Sequence, residues 1–138
     1  MNRPLSRRDL SRTGPVPDTD LFVIEADILA KGRRERYFAE RDVLRTNRRD
    51  TLADIVSGQI ERVRRVLSFN PAEGWARDVS EDIAHDALRA ALEDRQGVPD
   101  HLMDFLEEHL GCEAVASAER EDTEREIARH EALAREVA

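Results

Sequence analysis

The groups in this chain most able to do chemistry are its charged side chains, and their spacing sorts them into a few constellations. Glu73, Asp78, Glu81, Asp82 and Asp86 crowd a turn and the start of a helical pattern. Carboxylates gathered this way can hold a cation, or divide into a general acid and a general base. A plainer explanation competes. Acids favour a helix N-terminus, where they complement the partial positive charge of unpaired N–H groups, and Asp78 or Ser80 can cap that end. The plainer explanation is preferred, because the D-x-D-x-D-G spacing of a calcium loop is missing from the sequence.

The chain has four histidines and one cysteine. His101 and Asp104 stand i,i+3 on one helical pattern with Glu108 near the same face, and His109 and Cys112 have H-x-x-C spacing across Gly111. A zinc site needs three or four converging nitrogen or sulfur ligands, and the sequence offers neither a second cysteine pair nor H-E-x-x-H. His109 is therefore expected at the core edge, beside Leu102 and Leu106, and neither a metal nor another cofactor is expected. A nucleophilic Cys112 would need cations or a helix N-terminus to lower its pKa. It instead follows a helical pattern and precedes Glu113, so a buried or incidental thiol is expected. G-x-S-x-G, Walker A and G-x-G-x-x-G are missing too, so no catalytic residue is assigned and the chain is expected not to be an enzyme.

The basic residues bear on polyanion binding. All 22 are arginine except Lys31. Codon usage in a GC-rich genome explains that bias more simply than any arginine-specific task. The clusters K-G-R-R-E-R and R-T-N-R-R, with Arg33, Arg34, Arg36, Arg48 and Arg49, could track phosphates. Charge is sharply segregated along the chain: residues 1–17 carry +3, residues 18–30 carry −4, residues 31–68 carry +5 and residues 69–138 carry −12. The formal net charge of −8 would repel a nucleic acid, and the arginines have a structural alternative in pairing with the acidic half.

These residues need elements to hold them. In 138 residues there is room for one modest core, built on Leu, Ile and Val because aromatic residues are 4% of the chain. Residues 1–19, broken by Pro4, Gly14, Pro15 and Pro17, predict a disordered basic arm. Residues 21–29 predict a half-buried strand with Phe22, Ile24, Ala26 and Ile28 on one face and Glu25 and Asp27 on the other. Gly32 sits at a hairpin turn, and 34–41 return antiparallel through Tyr37 and Phe38. Asp50 or Thr51 can cap a helix from Leu52. Beyond it the pattern is ambiguous. Leu52, Ile55, Val56, Ile60, Val63, Val66 and Leu67 share one helical face, yet Gly58 is a plausible stop and VRRVLSF also reads as a strand. Asn70-Pro71-Ala72-Glu73 before Gly74 is a turn, and from Trp75 the pattern is helical. Further helices are predicted over 79–95, 99–110 and 113–136, divided by Gly97-Val98-Pro99 and by Gly111.

One segment resembles known sequences. Gly58, Gln59, Phe69, Asn70, Ala72, Glu73, Gly74, Trp75, Arg77, Asp78, Val79, Ser80, Glu81 and Asp82 fit an "FN-x-AEGW-x-RDV-[ST]-ED" segment of small uncharacterised bacterial proteins. In those, a helix ending in Gly-Gln leads through a β-branched run and this turn into another helix. The resemblance covers residues 57–88 and implies no activity. It favours helix 51–57 followed by strand 61–69.

The expected fold is α+β: a small antiparallel sheet of about three strands with helices packed on one face, in a single domain over 20–112 followed by a charged C-terminal helix over 113–138. The alternative is an all-α helical bundle, if 51–68 stays helical. A lone cysteine and the lack of an apolar leader or spanning run point to a cytoplasmic protein without a membrane segment. The expected function is binding of a partner protein, as an adaptor, inhibitor or regulator. Candidate contact residues are Trp75, Ile127 and Leu133, with a core plug as the favoured role for Trp75. Nucleic-acid binding through the arginine clusters is the alternative, and a carboxylate- or metal-dependent hydrolase is the least favoured.

Overall fold

The structure, a computed structural model, describes residues 19–94 and 97–137. The expected basic arm falls almost wholly outside the described residues. The fold is α+β, and the all-α alternative is overturned. Strands β1 (Leu21–Ala30) and β2 (Arg33–Phe38) are followed by a short 3₁₀ turn and helix α1 (Arg48–Val56). Then come β3 (Val63–Asn70), β4 (Trp75–Asp78), α2 (Ser80–Glu93), α3 (Asp100–Leu110) and α4 (Cys112–Val137). The sheet has four strands, not three, in the order β2-β1-β3-β4, and every pairing is antiparallel.

Alternation in β1 places Phe22, Ile24 and Ala26 in the core. Ile28 departs from the expectation and is 45% exposed. The reason is register. Pairing of β1 with β3 ends at Ala26–Val63, so the last residues of β1 pair only with β2 and overhang the helical layer. The hairpin closes on Lys31 and Gly32, both with positive φ (51° and 76°), which is the two-residue type I′ geometry that matches strand twist.

Helix α1 starts three residues before the expected Thr51 region, and Asn47 caps it, its side chain accepting from the Asp50 N–H at 2.8 Å. Asp50 and Thr51 lie inside the helix, and Thr51 is buried. The polar first turn, Arg48-Arg49-Asp50, carries no apolar period that could announce it. Gly58 ends the segment with φ +79°, and β3 follows as a strand.

The largest correction is at β4. Trp75–Asp78 is a strand, not the start of a helix: Gly74 N donates to Asn70 O at 2.8 Å, and the turn returns the chain along β3 with Asn70 opposite Trp75. The expected side-chain cap of α2 is absent at its N-cap, Val79. Asp78 accepts from the Ser80 N–H (2.8 Å), while the buried Ser80 hydroxyl accepts from Val66 N (2.8 Å), tying the helix start to β3.

The core lies between one sheet face and the helices. It joins Phe22, Ile24, Val63 and Val66 to Ile55, Ile83, Leu102, Phe105, Leu106 and Val115. Leu21, Val23, Leu67 and Phe69 are half-buried on the opposite sheet face and lie outside that cluster.

Candidate protein-binding surface

The β1–β2 hairpin gathers exposed apolar side chains. Ile28 (45%), Leu29 (54%), Tyr37 (39%) and Phe38 (56%) are half of the eight large hydrophobic residues exposed among the described residues. Their exposure follows from two adjacent apolar pairs, Ile28-Leu29 and Tyr37-Phe38. Successive strand residues point to opposite faces, so each pair makes both faces of the hairpin apolar. Register puts Glu25 opposite Phe38, Asp27 opposite Arg36 and Leu29 opposite Arg34 on one face, and Ala26 opposite Tyr37 on the other.

Two ion-pair clusters anchor the hairpin. Glu25 is buried on the face away from the helices, its Oε2 accepting from Arg65 Nε at 2.8 Å while Arg36 Nη1 stands 3.6 Å from Oε1. At the exit of β2, Arg41 and Asp54 pair at 3.1 Å with both side chains 5% exposed. Arg41 Nη1 also donates to the Thr51 hydroxyl at 2.8 Å, and Arg45 Nη2 donates to the other Asp54 oxygen at 2.5 Å. Sequence reasoning did not single out Arg41, Asp54 or Leu29, and it named Phe38 only as a strand residue, whereas Phe38 is exposed. Only the paired apolar doublets carried a usable signal.

The candidate arginines sit on two elements rather than one. Arg33, Arg34 and Arg36 are exposed along β2; Arg48 and Arg49 open α1. Arg48 pairs with Asp86 of α2 and Arg64 with Glu108 of α3 (3.4 Å), so part of the basic half does pair with the acidic half. The Arg33 and Arg34 side chains have no ion-pair or hydrogen-bond partner among the described residues.

Trp75 is half-buried and does not belong to the core cluster, which overturns its role as a core plug. Its indole N–H donates to Glu73 at 2.5 Å, and the Arg77 guanidinium stacks 4.5 Å from the ring centre. Ile127 and Leu133 are exposed on the distal part of α4. The structure brings neither of them to the hairpin.

The acidic turn and the histidines have structural partners. Partial burial pushes the Asp78 carboxyl up, but bonds from the Ser80 hydroxyl and N–H, with His109 and Arg65 nearby, hold it below its ordinary value. His109 Nε2 donates to the Arg64 carbonyl at 2.7 Å, with its ring edge-on to Phe105, and His101 Nε2 donates to the Val56 carbonyl at 2.9 Å. A cleft of about 320 Å³ beside them holds Arg64 between Asp27 and Glu108. No group of three or more His, Cys, Asp or Glu converges as metal ligands among the described residues. Cys112 is exposed, which removes the buried alternative and leaves the incidental one, and a hydrogen bond to Glu107 together with that carboxylate's charge raises its pKa. No described helix is long and apolar enough to cross a membrane.

The fold and surface define an open-faced α+β domain, a four-stranded antiparallel sheet covered by helices on one side. No protein-family model, curated protein or solved structure matches the chain.

Proposed function

We propose that this chain is a non-catalytic, cytoplasmic binding protein, an adaptor, inhibitor or regulator, that engages a partner protein through the β1–β2 hairpin. The observation that carries the reading is that Ile28, Leu29, Tyr37 and Phe38 are exposed on the two faces of one hairpin and stand outside the core cluster. Apolar groups gathered at one place on a small domain mark contact surfaces, whereas scattered ones need no explanation. Trp75 on β4, and Ile127 and Leu133 on α4, are secondary contacts in this reading.

The test is capture from bacterial lysate with the tagged chain, with and without nuclease, compared with a Leu29→Asp/Phe38→Asp variant. Both side chains are more than half exposed, so the variant is expected to keep its circular dichroism spectrum, with the unfolding midpoint slightly lowered because Phe38→Asp sets an acid opposite Glu25. A discrete protein, identified by mass spectrometry, is expected to survive nuclease and to be lost with the variant. Recovery that depends on nucleic acid and collapses with salt overturns the reading. It would favour the alternative suggested by the unpaired, exposed Arg33 and Arg34.

A further inference from the structure

We infer that the open edge of β2 takes an acidic, extended peptide segment as an added strand, which rests on the hairpin being the docking surface. Among the described residues β2 is the end strand of the sheet and pairs on one side only, with β1. All six of its residues are exposed. An edge strand presents unpaired N–H and C=O groups in register, a template for another strand. Folded domains blunt such edges with proline, with bulges or with charge. β2 contains no proline, and its register with β1 runs unbroken from Glu25–Phe38 to Ala30–Arg33. Charge is the device it retains, and that charge selects the occupant.

A second copy of β2 is a poor occupant in the registers that pair most of the strand. Edge strands of two identical sheets pair antiparallel about a two-fold axis normal to the sheet. Directly opposite residues point to the same face, so their numbers share parity. Pairing centred on Glu35 sets each copy's Glu35 against the other's, and Arg34 against Arg36. Pairing centred on Arg36 sets Arg36 against Arg36. Like charges directly opposite are destabilising.

An acidic strand meets the same edge favourably. Arg34, Arg36 and Phe38 alternate on one face, so an antiparallel segment with an apolar residue and then acids at the second and fourth positions after it lies opposite all three. Arg34 already has no partner to give up. Leu29 and Phe38 supply apolar surface beside these pairs. The regular backbone edge favours a peptide over a nucleic acid, because only a peptide answers the alternating donors and acceptors.

The test uses the full chain and a fluorescent probe peptide, T-V-T-E-T-E-T. Its controls are the same peptide with lysine for glutamate, the same peptide with proline at the central threonine-glutamate step, and oligothymidine. Binding is read by anisotropy, and strand addition by slowed amide hydrogen exchange. The acidic peptide is expected to bind and to slow exchange at alternate amides of residues 33–38, and the proline peptide to do neither. Arg34→Glu removes only an unpaired, exposed side chain; it is expected to weaken the acidic peptide by about tenfold, because one of the peptide's acids then meets a like charge. No binding of the acidic peptide at about 1 mM, binding without protection in β2, or binding of oligothymidine alone each overturns the inference. If the peptide fails while Leu29→Asp/Phe38→Asp still loses its captured protein, strand addition falls and the docking surface stands. If both fail, both fall.

Discussion

Asp54 shows how much of this fold turns on single side chains that no pattern announces. It lies in L-A-D-I-V, next to core residue Ile55, where an acid would ordinarily point to solvent. It is buried because Arg41 reaches it from the segment after β2 and brings Thr51 into the same network. Sequence periodicity cannot show this, because the partner comes from irregular chain. A buried pair is a weak source of net stability, but removing one member leaves the other charge uncompensated. Asp54→Ala is therefore expected to lower the urea midpoint by the equivalent of about 3 kcal/mol with the slope unchanged. Arg41→Met/Asp54→Leu, which removes both charges, is expected to lose less than Asp54→Ala alone. A larger loss in the double variant would mean that the arginine's other bonds, not the pair, hold the segment.

At the scale of elements, the hairpin and the three longer helices were legible because each has a period or a punctuating residue: alternation in L-F-V-I-E-A, Gly32 at the turn, and the apolar stripe Ile83, Ala84, Ala87, Leu88, Ala91; β3 fitted a helical period equally well, and the strand was chosen on the resemblance. β4 was not legible. Trp75–Asp78 has too few residues to show a period, and Asp78 with the flanking Glu73, Glu81 and Asp82 imitates a helix start. The proposed binding surface was legible only in part: the arginines of β2 stood out, whereas the open edge beside them depends on sheet order. Gly58 was readable as a helix stop, but not its second role. A Cβ there would lie 3.2 Å from the His101 ring, whose Nε2 donates to Val56 O of the same helix end. With φ at +79°, Gly58→Ala meets both backbone strain and crowding, and is expected to cost about 2 kcal/mol. Pairing it with His101→Ala separates the two. The crowding is relieved and the strain is kept, so a urea double-mutant cycle should give a combined cost below the sum of the single costs. Strict additivity would mean that the ring already moves aside.

For the whole molecule, the segregated charge of the sequence survives folding. Arg48–Asp86 and Arg64–Glu108 join the basic and acidic halves, but Glu25 and Asp54 take their arginines from the first half. Most of the acidic excess of residues 69–138 lies on the helices, and its Asp100, Asp104 and Glu108 share a cleft with Arg34 of β2; segregated charge of this kind orients an approaching charged molecule. The helix α4 extends the same separation. Its 26 residues span about 39 Å. Val115 is buried and Ala118 packs on the core, whereas every described residue from Ile127 onward is exposed. An isolated helical end of this kind gains little from its own hydrogen bonds in water. If the domain is complete without it, a chain ending at Glu126 should keep the urea midpoint and slope of the full chain and lose only far-ultraviolet helical signal. Val115→Ala, by contrast, should cost about 2 kcal/mol through the cavity it leaves. A lower midpoint on truncation, growing with protein concentration in the full chain, would show that the exposed end of α4 is buried between copies; its apolar residues Ile127 and Leu133 would then belong to assembly rather than to a separate partner.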